Sequence, residues 1–146
     1  DFLTLLRKKF PALVMEGVSP KTITGILHAK KILAQTIYAK KHRLLLAKKT
    51  ETDILLRFAA TTQISGAINA VGIEKLDEFV IIALGNKSAL DKIHNHLCPN
   101  LTSIDLSKNS KYLQKLFGIT KRHLGAVESR NPLEDLLAEK AATLFQ

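Results

Sequence analysis

A chain of 146 residues with 46% hydrophobic content has room for one well-cored domain but not for two, and it is too apolar for general disorder. No apolar run reaches membrane-spanning length, and the lone Cys98, which has no disulfide partner, fits a soluble protein of the reducing cytoplasm. The formal net charge of +9 lies wholly in residues 1–50, where eleven Lys and Arg stand against Asp1 and Glu16; so local a surplus attracts a polyanion, nucleic acid foremost.

The first element is a helix over Asp1–Phe10, with Phe2, Leu5, Leu6 and Phe10 closing one side and Pro11 ending it; Ala12–Glu16 follows as a short strand. Gly25 opens the longest helix, Gly25–His42, whose apolar stripe is Ile26, Ala29, Leu33 and Ile37. Lys31, Gln35 and His42 mark its opposite side, and Lys30 and Lys41 fall three turns apart on one flank. Such a flank reads either as lysine stems lying over the core with their heads in water or as a cationic edge for an anion. Arg43, Lys48 and Lys49 occupy the connection to the next helix. The two lysines directly precede its N-terminus, where unpaired N–H groups and the positive dipole end favour an anion, and Thr50 or Thr52 supplies the cap.

Asp53–Ile73 reads as two short helices broken at Ala60-Thr61-Thr62. Ile54, Leu55, Phe58 and Ala59 form one apolar stripe, and Ile64, Ala67, Ile68 and Val71 form another at i, i+3, i+4 and i+7, so both must enter one core. Arg57 stands four residues after Asp53, the spacing of an intrahelical ion pair. Thr61, Thr62 and Gln63 offer a second helix start with polar donors, and if the two starts face one groove, a phosphate or strand end fits between them. Gly72 ends the second helix in a left-handed cap.

An acidic loop, Glu74–Glu78, leads to a strand over Phe79–Leu84, a turn at Gly85-Asn86 and an amphipathic helix over Ser88–Leu97 with Leu90, Ile93 and Leu97 inward. Leu101–Leu106 is a third strand. Ser107 or Asn109 caps a helix through Tyr112, Leu113, Leu116 and Phe117 that stops at Gly118, and Thr120–Gly125 begins another. In the final helix Asn131 is the cap and Pro132 occupies the first turn, with Leu133, Leu136, Leu137 and Leu144 on the apolar side. The expected fold is α+β, a single domain with a small, largely antiparallel sheet of three to four strands and six to eight helices.

Asp53-Ile54-Leu55-Leu56, a short break, and Gln63-Ile64-Ser65-Gly66-Ala67-Ile68-Asn69-Ala70-Val71-Gly72-Ile73 together resemble the central motif of a known family. It is the kinase-associated, tRNA-binding small subunit of the KEOPS complex, also called the PRPK-binding protein family. The final LEDLLAEKAATLFQ is similar to the family's C-terminal helix, and the resemblance runs from Ala12 onward. The chain has Asp53 where the family usually has Glu, Ala60 where Gly is common, and Thr62 where a basic residue often stands. Family members generally begin with a strand before the first helix; none precedes Phe2, so one sheet edge is expected to be uncovered. The resemblance implies a non-catalytic subunit that binds the complex's kinase/ATPase and the single-stranded 3′ CCA end of tRNA, in support of threonylcarbamoyladenosine formation. The tRNA end would then meet Lys30, Lys41, Arg43, Lys48, Lys49, Thr61, Thr62 and Gln63, with Tyr38 and Phe58 as the nearest aromatics, and the kinase would meet Leu133, Leu137 and Leu144.

Nothing in the sequence calls for a cofactor, a metal or a small-molecule substrate. His94 and His96 point to different helix faces without Cys, Asp or Glu at ligand spacing, and His28 and His123 are isolated. Cys98 reads as a small buried apolar residue. The alternative is a helix-turn-helix DNA-binding protein, since Gln63–Gly72 resembles the first helix and turn of that motif. That reading needs a recognition helix after Gly72, where the chain instead supplies Glu74, Asp77, Glu78 and a β-type run.

Overall fold

The computed structural model describes residues 1–73 and 78–144; of the expected acidic loop only Glu78 falls among them. Eight α-helices and two strands follow in the order α1 (Phe2–Lys9), β1 (Val14–Val18), α2 (Ile26–His42), α3 (Thr50–Ala59), α4 (Ile64–Val71), β2 (Val80–Leu84), α5 (Lys87–Leu97), α6 (Ser110–Leu116), α7 (Lys121–Gly125) and α8 (Pro132–Ala142).

β1 and β2 pair antiparallel, with Val14 opposite Leu84 and Val18 opposite Val80. Because side chains alternate along a strand, Val14, Val18, Val80, Ile82 and Leu84 enter a core with α2, α3 and α4. Met15, Ile81 and Ala83 on the other face pack against Leu3 and Leu6 of α1 and Ile93 of α5. The ribbon is thus covered on both faces by helices, which stabilises a two-stranded sheet that would be marginal alone.

The α+β class holds, but the sheet has two strands among the described residues rather than three or four. Leu101–Leu106 forms no strand. Its apolar residues do not alternate strictly, Leu101 and Ile104 stay exposed, and Asp105 accepts from Ser107 N–H to start a 3₁₀ turn at Leu106. β2 also borders an apolar groove of about 880 Å³ whose lining includes Phe2, Phe79, Ile93 and Leu101.

Two helices are turned only in part from their expected faces, since Leu6 of α1 and Ala29 and Leu33 of α2 do pack inward. α1 buries Leu3 and Leu6 and leaves Phe2 and Leu5 exposed. α2 buries His28, Ile32, Thr36 and Ala39, while Ile26 and Ile37 point outward at 73% and 54% exposure. The side expected to be open meets α8, where Lys31 pairs with Asp135 and the Gln35 side chain donates to the Ala138 carbonyl at 2.7 Å. Hydrophobic spacing alone misplaces α2 because two of its inward residues are polar and find partners: Thr36 donates to Asp53, and the His28 ring meets Phe58 edge-on at 5.4 Å.

Those two contacts join the middle of α2 to the start of α3 and the start of α2 to the end of α3, so the helices run antiparallel. Asp53 is fully buried and accepts from Thr36 Oγ1 at 2.7 Å, Leu46 N–H at 2.8 Å, and Arg57 Nε and Nη2 at 2.8 and 3.3 Å. Arg57, also buried, donates its remaining Nη1 to the Ala141 carbonyl of α8.

The end of α4 does not follow its expected cap. Gly72 is extended (φ −68°, ψ 164°), and a side chain there would strike the Ile68 carbonyl, so close approach rather than a left-handed turn requires glycine. The left-handed residue is Ala60, at φ 48° and ψ 46°. Ala60→Gly should therefore raise stability by about 0.5–1 kcal/mol in denaturant titration with an unchanged m-value, because a non-glycine residue is strained in that region. Asp53→Ala should lower stability by about 3–5 kcal/mol by leaving Arg57 buried and unpaired, a loss readable by the same titration.

Candidate functional site

Lys30, Lys41, Arg43, Lys48 and Lys49 are all exposed. With 1.5 Å rise per residue, Lys30 and Lys41 lie about 16 Å apart on nearly the same side of α2. Arg43 ends that helix in the left-handed region (φ 59°), turning the chain into the lysine-bearing connection. The Asp53 carboxylate then holds Leu46 N–H, drawing this connection back over the start of α3.

A pocket of about 360 Å³ opens at this corner, between Ile37, Lys40 and Lys41 of α2, Thr50 of α3, and the strand ends at Val14 and Leu84. Lys41 and the α3 N-terminus thus line one cavity, as two cationic features of the sequence separated by nine residues. Lys40 belongs to the same lining and was missed in the sequence; its only signal was its place beside Lys41. The cap of α3 is Lys49, not Thr50 or Thr52, and no side chain caps the helix, so backbone donors of its first turn are left without a side-chain acceptor. Glu51 in the same turn moderates the positive potential there, whereas the Asp53 charge is turned inward and neutralised by Arg57.

Thr61, Thr62 and Gln63 lie at the opposite end of α3, ten residues or about 15 Å away, so the two helix starts do not share a groove. There Gln63 caps α4 through its backbone, and Thr61 Oγ1 accepts from Gln63 N–H at 3.2 Å. The antiparallel pairing places Lys30 toward this second end. Of the aromatics, Phe58 is a core residue at 2% exposure, while Tyr38 stands 60% exposed on α2. Leu133 and Leu137 are buried against Leu113 and Ile119, which commits them to packing α8, and Leu144 is half-buried. Cys98 is exposed, contrary to its reading as a core residue, because it lies on the short turn that follows α5.

Among the described residues no His, Cys, Asp and Glu side chains cluster in a way that could hold a metal, and no helix is long and apolar enough to cross a membrane. The fold and this corner define a small α+β protein with a cationic, pocketed surface. The model of the kinase binding protein CGI-121 family matches residues 6–144, and the chain belongs to that family. No curated protein matches it.

A buried and a half-buried acid–base group, His28 and Glu16, respond to the fold. Burial, only partly countered by Glu134, holds His28 down at about 4 from the usual 6.5, and its Nδ1 accepts from Thr24 N–H. Burial raises Glu16, against the Gly17 N–H and the Arg7 guanidinium, which favour its charged form. Between pH 6.5 and 4 the unfolded chain binds a proton at His28 that the folded chain does not, so stability is lost as pH falls through this window. Glu16 has the opposite sign and offsets part of the loss. The His28 contribution is about 3 kcal/mol. In denaturant titrations at pH 7 and pH 4, His28→Gln should show a smaller drop in stability than the parent chain.

Proposed function

We propose that the chain is a non-catalytic, cytoplasmic subunit of the KEOPS complex, binding its kinase/ATPase and the 3′ CCA end of tRNA to support threonylcarbamoyladenosine modification. Family membership supports a kinase partner. The tRNA half rests on one observation: Lys41 lines a pocket with Thr50, the first residue of α3, which Lys48 and Lys49 directly precede in sequence, in a chain whose entire charge surplus lies in residues 1–50.

In this reading the lysines act as mobile point charges on the phosphates of the RNA end, and the first-turn N–H groups of α3 add fixed donors. Lys41, Arg43, Lys48 and Lys49 form the main phosphate-binding group. Lys30 and Thr61–Gln63, at the other end of the helix pair, extend the path of the strand. A single-stranded end suits the site because its phosphates and bases are both accessible, unlike those of a duplex. The helix-turn-helix alternative loses its second helix, since Val80–Leu84 is a strand paired to β1.

Binding of full-length tRNA should exceed that of the same tRNA trimmed of CCA, at two salt concentrations and with little competition from duplex DNA. Lys48→Ala with Lys49→Ala should weaken the intact tRNA and flatten its salt dependence by roughly 0.7 in log–log slope for each phosphate that is no longer neutralised. Equal binding of intact tRNA, trimmed tRNA and duplex, unaltered by the double substitution, would leave only a general polyanion surface and refute the end-specific site.

A further inference from the structure

The outer side of α2 carries a feature that charge binding does not use. Tyr38 is 60% exposed, yet its ring is stacked on His42, with centroids 4.0 Å apart and planes 27° from parallel. The imidazole is itself fixed, because its Nδ1–H donates to the Tyr38 carbonyl oxygen at 2.8 Å. One face of Tyr38 is therefore backed by a locked ring, which restrains a side chain that solvent would otherwise leave mobile. The other face has no aromatic neighbour among the described residues.

Charge surrounds this ring on the side of the pocket. At 100° per residue, Lys41 lies about 60° round the helix from Tyr38 and about 40° from Ile37, which lines the pocket. Lys41 thus stands between the cavity and the aromatic pair. Arg43 follows directly after His42, at the left-handed end of the helix. A preordered aromatic face beside cations spaced along a helix is the arrangement that holds single-stranded nucleic acid: the ring takes a base and the cations take its phosphates.

We propose that the free face of Tyr38 is a stacking platform for an unpaired nucleobase of a single-stranded RNA end, with Lys41 and Arg43 on the adjoining phosphates. The proposal rests on the reading of the α2–α3 corner as the RNA site and adds recognition of a base to it. A stack accepts any base by its π-face, so the platform contributes affinity and orientation without reading sequence. Exposed as it is, Tyr38 lies outside the buried core, and its replacement should leave the fold intact.

The chain has no Trp and two Tyr, so Tyr112→Phe leaves Tyr38 as the fluorescent reporter. This variant is titrated with a single-stranded RNA ending in CCA and with an oligonucleotide of equal length whose terminal residues lack bases, correcting for absorption by the RNA. The base-bearing RNA should quench the tyrosine, and the abasic one should not. Tyr38→Ala should weaken binding of the base-bearing RNA roughly tenfold and leave the abasic RNA within about twofold, while Tyr38→Phe retains the affinity. Unchanged affinity in Tyr38→Ala, without quenching in the reporter, overturns the platform. If Lys48→Ala with Lys49→Ala still weakens binding in that case, the RNA corner survives without it; if that variant is also unchanged, the corner falls too.

Discussion

The structure depends on one buried ion pair, Asp53 with Arg57. Taking both charges out of water costs several kcal/mol each, and the cost is offset only where every lone pair and donor finds a partner. Here the carboxylate is met by a hydroxyl from α2, an amide from the connection and two guanidinium nitrogens, and the guanidinium reaches on to a carbonyl of α8. Four segments are thereby fixed to one point. The pair adds little net energy, but it admits few alternative arrangements of those segments.

The position of the basic corner follows from that point. The hydroxyl contact sets the rotation of α2, turning Thr36 inward and Ile37, Tyr38 and Lys41 outward. The amide contact at Leu46 ties the connection to the start of α3, whose first residue, Thr50, shares a pocket with Lys41. β1 and β2, held between helices on both faces, supply the floor at Val14 and Leu84. A rigid base with mobile lysine heads suits an extended polyanion, whose phosphates can be matched without rearranging the backbone.

Much of this was legible in the sequence where the pattern is local. The break between α3 and α4, the strand at Phe79–Leu84, the Asn131-Pro132 start of α8 and the i, i+4 pairing of Asp53 with Arg57 all depend on neighbours a few residues apart. The face of α2 was legible only in part: Ala29 and Leu33 pack against the core, but the rest of the inward side is not wholly apolar. Its buried His28 and Thr36 are polar, and only partners distant in sequence, Phe58 and Asp53, make their burial tolerable. The same limit applies to the site. Lys41, Lys48 and Lys49 could be named from their charge, but the meeting of Lys41 with Thr50 in one pocket is a tertiary fact, as is the separation of Thr61–Gln63 from the start of α3 by the length of that helix. Leu133 and Leu137 look alike as core or as contact residues until the helix they pack against is known.

Whether the corner between α2 and α3 receives a single-stranded RNA end can be read from amide chemical-shift mapping of the chain titrated with a short RNA ending in CCA. The largest shifts should fall at Lys40, Lys41, Arg43, Lys48–Thr50 and Gly85, around the pocket and the start of α3. Largest shifts confined to α4 and α8, or none at saturating RNA, would contradict binding at that corner.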